Sequence, residues 1–227
     1  MNVRDGRSPA PERRVRGRDD TARQAESLAA LRRYRILDTD PERAFDDLTL
    51  LASRICGTPI ALITLIDADR QWFKSRVGLS MTETSRSISF CAHAIKHDGL
   101  FVVPDARQDS AFRDNPSVTG EPHIRFYAGA PVITPNGHAL GTLCVVDRVP
   151  RTLTPDQIEA LQALKRQAEM QLELRSSLLE LEQALGARDL AEEAQVRLIE
   201  QLRTALQNVN RLTALLPFCS NCRFNMT

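Results

Sequence analysis

The chain has 227 residues, 42% hydrophobic and 26% charged, which is enough for one domain of ordinary size with a packed core and additional elements. Its formal net charge of +1 gives no global attraction to nucleic acid or to an anionic membrane. No apolar run approaches the roughly 20 residues a membrane span needs, no apolar segment of a secretory signal follows the N-terminal arginines, and the five cysteines are irregularly spaced, so a reducing, cytoplasmic setting without a disulfide framework is expected.

Residues 1–23 carry seven arginines and four acids but almost no large apolar side chain. Such a segment buries too little surface to offset the entropy of ordering, and a disordered arm is expected. A helix follows over Gln24–Tyr34, with Leu28, Leu31 and Tyr34 on one stripe. In DTDPERAFDDLTLLASRICG, Asp40 reads as an N-cap and Pro41 as the first helical residue. Phe45, Leu48, Leu51, Ala52 and Ile55 then recur at helical spacing until Gly57 and Pro59.

Ala61–Ile66 and Gln71–Val77 read as an antiparallel hairpin, Leu100–Val103 as a short strand, and Phe126–Ile133 with Ala139–Val146 as a second hairpin. Asn136-Gly137 marks its turn, with positive φ expected at both positions. Helical or irregular segments fall near residues 88–97 and 109–118. Adjacent hairpins with interleaved helices predict an α+β domain built on an antiparallel sheet.

From Thr154 the pattern changes. Thr154 and Gln157 form a capping box with Pro155 at the first helical position. No further proline occurs before Pro217, and 155–216 as one helix would extend roughly 90 Å. Leu174, Leu178, Leu181 and Leu185 follow a 4-3-4 spacing. Leu198, Leu202, Ala205, Val209, Leu212 and Leu216 resume it three residues out of phase. This predicts a dimeric coiled coil with a stammer-like break near Gly186; a helical hairpin folding back at 186–188 is the alternative.

The stretch Ser87–His97, SISFCAHAIKH, concentrates the chemistry-bearing residues. If it is helical, Cys91 and His93 point about 200° apart and make no nucleophile–base pair. His93 and His97, at i and i+4, have helical zinc spacing but lack the glutamate of a zincin motif. Cys91 with Cys144 is a redox candidate; buried cysteines acting as small apolar groups are the alternative. Cys219 and Cys222 form a CxxC that supplies two of the four ligands a structural zinc needs, and two copies at the end of a parallel coil would supply four. The remaining reading of the stretch is a pocket wall, with Phe90, Cys91 and Ile95 packing on the sheet and Ser87, Ser89 and His93 offering polar contacts.

Taken together, RILDTDPERAFDDLTLLASRICGTPIALITLID, RQWFKSRVGL, ETSRSISFCAHAI, FVVPDARQDSAFRDNPSV, IRFYAGAPV and LGTLCVVDRVPRTLTPDQIEALQ resemble the GAF domain family of bacterial signalling proteins. The resemblance covers roughly residues 24–175 and is to the subfamily found in front of histidine kinases, diguanylate cyclases and anti-sigma-type kinases. It implies an antiparallel sheet of five or six strands flanked by helices, ligand pockets on one face, and terminal helices joined in a parallel dimer. It implies a pocket drawing on Trp72, Arg86, Phe90, Cys91, His93, Arg125 and Tyr127, an arginine there suiting an anionic group. It also implies regulation of the two-component kind rather than catalysis, with no cofactor specified. Free-methionine-sulfoxide reductases share the fold, but their glycine-rich cysteine motif is absent here. Bilin-binding relatives attach pigment through a Cys-His pair, where this chain has Cys-Ala-His.

The expected organisation is an arm (1–23), a GAF domain (24–153), a signalling helix or coiled coil (154–216) and a tail (217–227) similar to the junction where an output domain can begin. The expected partners are a second copy through the coil, a small ligand, and an output kinase or regulator, with neither nucleic acid nor membrane. A cysteine-dependent redox enzyme and a ligand-free dimerisation scaffold are the competing functions.

Overall fold

The structure, a computed structural model, describes residues 20–220. Most of the expected arm, the Cys219/Cys222 pair as a possible ligand set, and the tail fall outside what it describes.

Helix α1 spans Asp20–Tyr34 and α2 spans Arg43–Cys56. The strands are β1 (Ile60–Ile66), β2 (Arg70–Val77), β3 (Glu83–Ser85), β4 (Phe101–Val103), β5 (Phe126–Ile133) and β6 (Ala139–Asp147). Short helices α3 (Phe90–Ala94) and α4 (Pro116–Thr119) lie between strands, and α5 spans Pro155–Ser220. The strands form one antiparallel sheet in the order β3-β2-β1-β6-β5-β4. The α+β class and a GAF-like six-stranded sheet are therefore as read from the sequence, with β3 as the strand that hydropathy did not mark.

Both faces of the sheet are covered, which is why β1, IALITLI, is buried throughout and its one polar residue, Thr64, marks no solvent side. Alternation still sorts the side chains. Ala61, Ile63 and Leu65 join a core with Leu31, Phe45, Leu48, Leu143 and Leu161 under α1, α2 and the start of α5. Ile60, Leu62 and Ile66 join a second core with Phe73, Phe90, Phe101, Phe112 and Tyr127 under α3, α4 and the connecting loops. Gly141 lets β1 and β6 approach: a Cβ there would lie 1.7 Å from the Thr64 carbonyl oxygen.

Two local expectations are corrected and one alternative is excluded. Helix α2 starts at Arg43, not beside Asp40, and Glu42 precedes it without a side-chain cap. The Lys74 ammonium holds the connecting segment instead, donating to Thr39 Oγ1 (2.8 Å) and to the Asp40 carbonyl (2.7 Å). At the β5–β6 turn only Gly137 has positive φ (85°). The Gly137 N–H bonds to the Thr134 carbonyl at 2.8 Å, a turn with Pro135 and Asn136 in its middle, so the loop is longer than a two-residue Asn-Gly hairpin. Third, α5 continues through Gly186, which rules out the fold-back. The capping box at its start is made reciprocally, Thr154 N–H to Gln157 Oε1 at 3.0 Å and Gln157 N–H to Thr154 Oγ1 at 3.3 Å.

The chain divides within α5 into two units, 1–176 and 177–227. In the second, Leu178, Leu181, Leu185, Leu198, Leu202, Val209 and Leu212 are all exposed. Among the described residues no helix is long and apolar enough to cross a membrane.

Candidate functional site

Residues 88–91 of the stretch SISFCAHAIKH form part of the wall of a cavity. Ser89 caps α3, its Oγ accepting the Ala92 N–H at 3.0 Å. That cap turns Phe90 and Cys91 onto the sheet, where the Phe90 ring stacks on Phe112 at 4.0 Å between centroids. A cavity of about 120 Å³ remains, with Ile60, Leu62, Phe73, Tyr127, Cys144 and Val146 from the sheet on one side and Phe90 and Cys91 on the other. Leu79, Met81, Ile88 and Ile124 close it further.

At the floor, Cys91 Sγ lies 3.8 Å from Cys144 Sγ, and the Tyr127 hydroxyl donates to Cys91 at 3.3 Å. Tyr127 reaches this position across Gly129, where any Cβ would meet the phenol oxygen at 2.1 Å. Thr64 and Thr142 share a hydrogen bond of 3.1 Å on the same face. Burial opposes ionisation of all three titratable groups, and it pushes Tyr127 up. For Cys91, donors converging from Cys144, Thr142, Thr64 and Tyr127 outweigh burial and hold its thiol below the usual range. The hydrogen bond to Cys91 and burial push Cys144 well up. If either sulfur carries the charge, it is Cys91.

Of the seven residues expected to form a pocket, the structure brings Phe90, Cys91 and Tyr127 together. Arg86 and His93 line a separate, open depression with Asp69, Ser85 and Lys96, and the Arg86 guanidinium donates to the Asp67 carbonyl at 2.6 Å. Arg125 donates to the Val118 and Ile124 carbonyls at 2.8 and 3.0 Å, so it ties a loop together instead of facing the cavity. Trp72 belongs to the opposite core, beside Phe45 and Leu65. Strand parity decides this, since Gln71 and Phe73 face the cavity and Trp72 between them cannot. His93 and His97 do not share a helix face: α3 ends at Ala94, the His93 ring meets Phe112 edge-on, and His97 stacks on Phe101. Among the described residues no three His, Cys, Asp or Glu side chains cluster as metal ligands would.

Sequence reasoning missed Gln71, Phe73, Leu79 and Met81 as cavity residues. Their signal was the two-residue period of β2 together with the short β3 that folds residues 79–81 over the sheet edge.

On the other face, the Lys74 side chain is fully buried and pairs with Glu42 Oε1 at 2.7 Å. Its ammonium sits 5.5 Å from the centre of the Phe45 ring and 5.9 Å from that of Trp72. Glu42 Oε1 also accepts from Arg175 Nε at 2.9 Å, and Arg175 donates to the Tyr34 carbonyl at 2.9 Å. The Tyr34 hydroxyl donates to Glu173. Burial alone would raise the Glu42 carboxyl, but Lys74 and Arg175 together hold it below the usual range.

The model of the GAF domain family matches residues 40–172, more than half of the chain. A cyclic di-GMP phosphodiesterase of Pseudomonas aeruginosa is 50% identical over 116 residues, which are 51% of this chain and 20% of that protein. The match thus spans about a fifth of that relative's length. Among solved structures, the GAF domain of an Acinetobacter phosphoenolpyruvate-protein phosphotransferase superposes with a TM-score of 0.51 at 16% identity, over 70% of this chain and 97% of that one. A bacteriophytochrome from the photosynthetic bacterium R. palustris superposes with a TM-score of 0.50 at 13% identity, over 76% of this chain and 42% of that one.

Proposed function

The chain belongs to the GAF domain family, and from that premise we propose that it is a cytoplasmic sensory module. A small ligand in the cavity biases the packing of α5, and a dimeric coiled coil passes the bias to an output kinase or regulator. One observation carries this reading. Adjacent residues of β2 serve the two faces of the sheet: Phe73 is cavity wall, and Lys74 holds the Glu42–Arg175 pair at the end of the first unit. A ligand that binds one arrangement of Phe73 better than another shifts the population of the Lys74 arrangement coupled to it.

The exposed leucines of the second unit support the dimer, because an isolated helix has no other means of burying such a stripe. The phosphodiesterase relative supports a signalling setting; the match spans a fifth of that protein, and its catalytic activity is not carried over to this chain. Native mass spectrometry of the purified chain is the test. A dimer carrying extra mass is the expected result. A bare monomer contradicts transmission through a coil, and a dimer that never carries added mass favours the scaffold.

The 3.8 Å sulfur separation favours a second reading, a thiol redox site. With a hydroperoxide as oxidant, the Cys91 thiolate attacks the O–O bond, giving a sulfenic acid and the corresponding alcohol or water. The Cys144 thiol then displaces hydroxide, which leaves as water, and the disulfide holds the two sulfurs. Peroxide treatment followed by intact mass should show loss of two hydrogens, abolished by Cys144→Ser. An unchanged mass contradicts this reading.

A further inference from the structure

We infer that the cavity selects an uncharged, single-ring-sized ligand that presents one hydrogen-bond acceptor, and that it rejects nucleotides and other anions. This rests on the ligand-sensing reading above and specifies its chemistry.

The size limit follows from the volume. An apolar cavity of about 150 Å³ accommodates one benzene ring, and this one is about 120 Å³. A cyclic dinucleotide, with two bases, two sugars and two phosphates, is several times too large.

The charge limit follows from the lining. Among the described residues no arginine, lysine or histidine lines the cavity. Of the arginines close in sequence to its walls, Arg70 pairs with Asp38, Asp67 and Glu83, and Arg86 and Arg125 are committed to backbone carbonyls. Glu121, the one acid of the lining, is largely exposed and lies 3.6 Å from His123 at the rim. A desolvated anion would meet no compensating cation, at a cost of several kcal/mol.

The acceptor requirement follows from a chain of hydrogen bonds. Ser89 Oγ accepts the Ala92 N–H of the α3 cap and keeps its own hydrogen for a second bond. It donates to Gln71 Oε1. A carbonyl oxygen facing Ser89 fixes the amide orientation and leaves the Gln71 Nε2 hydrogens as the donors on offer. Gln71 is buried, lines the cavity, and its Nε2 has no protein partner among the described residues. The Nε2 atom is open to the cavity space, so it is a donor available to a ligand that accepts from it.

The test uses the full chain labelled at its methionine methyls. Met81 lines the mouth of the cavity and is the reporter. Four probes are titrated: acetophenone (ring plus acceptor), ethylbenzene (the same ring without one), benzoate (matched in size but anionic) and cyclic di-GMP. Acetophenone and ethylbenzene should shift Met81, with acetophenone binding roughly five- to tenfold tighter. Gln71→Met should bring that ratio close to one while ethylbenzene still binds. Benzoate or cyclic di-GMP shifting Met81 at lower concentration than acetophenone would overturn the proposed class and leave ligand sensing intact. An acetophenone/ethylbenzene ratio near one in the unmodified chain would overturn the Gln71 anchor. If none of the four moves Met81, the proposal and the sensing reading fall together.

Discussion

The two faces of the sheet are built from the same six strands and do opposite things. Under α1, α2 and the start of α5, large side chains fill the space and an ion-pair chain crosses it from Lys74 through Glu42 to Arg175. Under α3 and α4, four- and five-residue helices and loops leave a ring-sized void lined by aromatic and branched side chains. The contrast is one of cover. Long amphipathic helices present enough side chains to interdigitate with a sheet, and single turns of helix do not. In the sensing role proposed above, the unfilled face receives the ligand and the filled face is the rigid body against which its binding is felt.

The largest expected effect tests this contrast within one strand. Leu65 and Leu62 are both buried leucines of β1, but Leu65 sits in the filled core and Leu62 walls the cavity. Leu65→Ala should cost about 4 kcal/mol, and Leu62→Ala nearer 2.5 kcal/mol, because Leu62 already lacks neighbours on its open side. Equal costs in denaturant titration would erase the distinction between the faces.

Next comes the ion-pair chain. Glu42→Gln leaves the buried Lys74 ammonium with only neutral acceptors and should cost about 2 kcal/mol at neutral pH. The pH dependence has a definite sign. The folded-state pKa of Glu42 lies below its ordinary value of 4.5, so its contribution is present above pH 4.5 and lost as pH falls through the lowered folded value. Stability profiles of the variant and the unmodified chain should therefore converge in acid. Parallel profiles down to strongly acidic pH would deny the pairing any energetic role.

The smallest effect is on the cavity side. Ser89→Ala removes the α3 cap and the bond that orients Gln71, at about 1 kcal/mol of stability. It should also reduce the preference for acetophenone over ethylbenzene by letting the amide turn. A preference unchanged in methyl spectra of Met81 would mean that something other than Ser89 fixes that amide.

How much of this was legible in the sequence differs between the faces. The helices α2 and α5 and the two main hairpins were readable, because periodicity, the Thr154–Gln157 box and the Pro135-Asn136-Gly137 break each reflect local physics. The start of α2 was not, because a lysine 31 residues beyond Arg43 holds the connection in place of a cap. For the cavity, SISFCAHAI named Phe90 and Cys91, and both line it. Trp72, placed in a pocket by the family resemblance, lies in the opposite core; hydropathy carried no parity to tell the faces apart because β1 and β2 are buried on both sides. Arg86 and Arg125 looked like anion ligands until their backbone partners were seen, and such contacts leave no pattern in sequence.

The central claim is that occupancy of the cavity is felt along α5. In a chain carrying Cys219→Ser and Cys222→Ser, disulfide crosslinking between copies at Leu181→Cys and, separately, at Leu202→Cys should be measured while acetophenone is titrated and the Met81 methyl reports occupancy. The account predicts that the ratio of the two crosslinking yields changes in step with Met81. Yields that stay identical from empty to saturated cavity would contradict it.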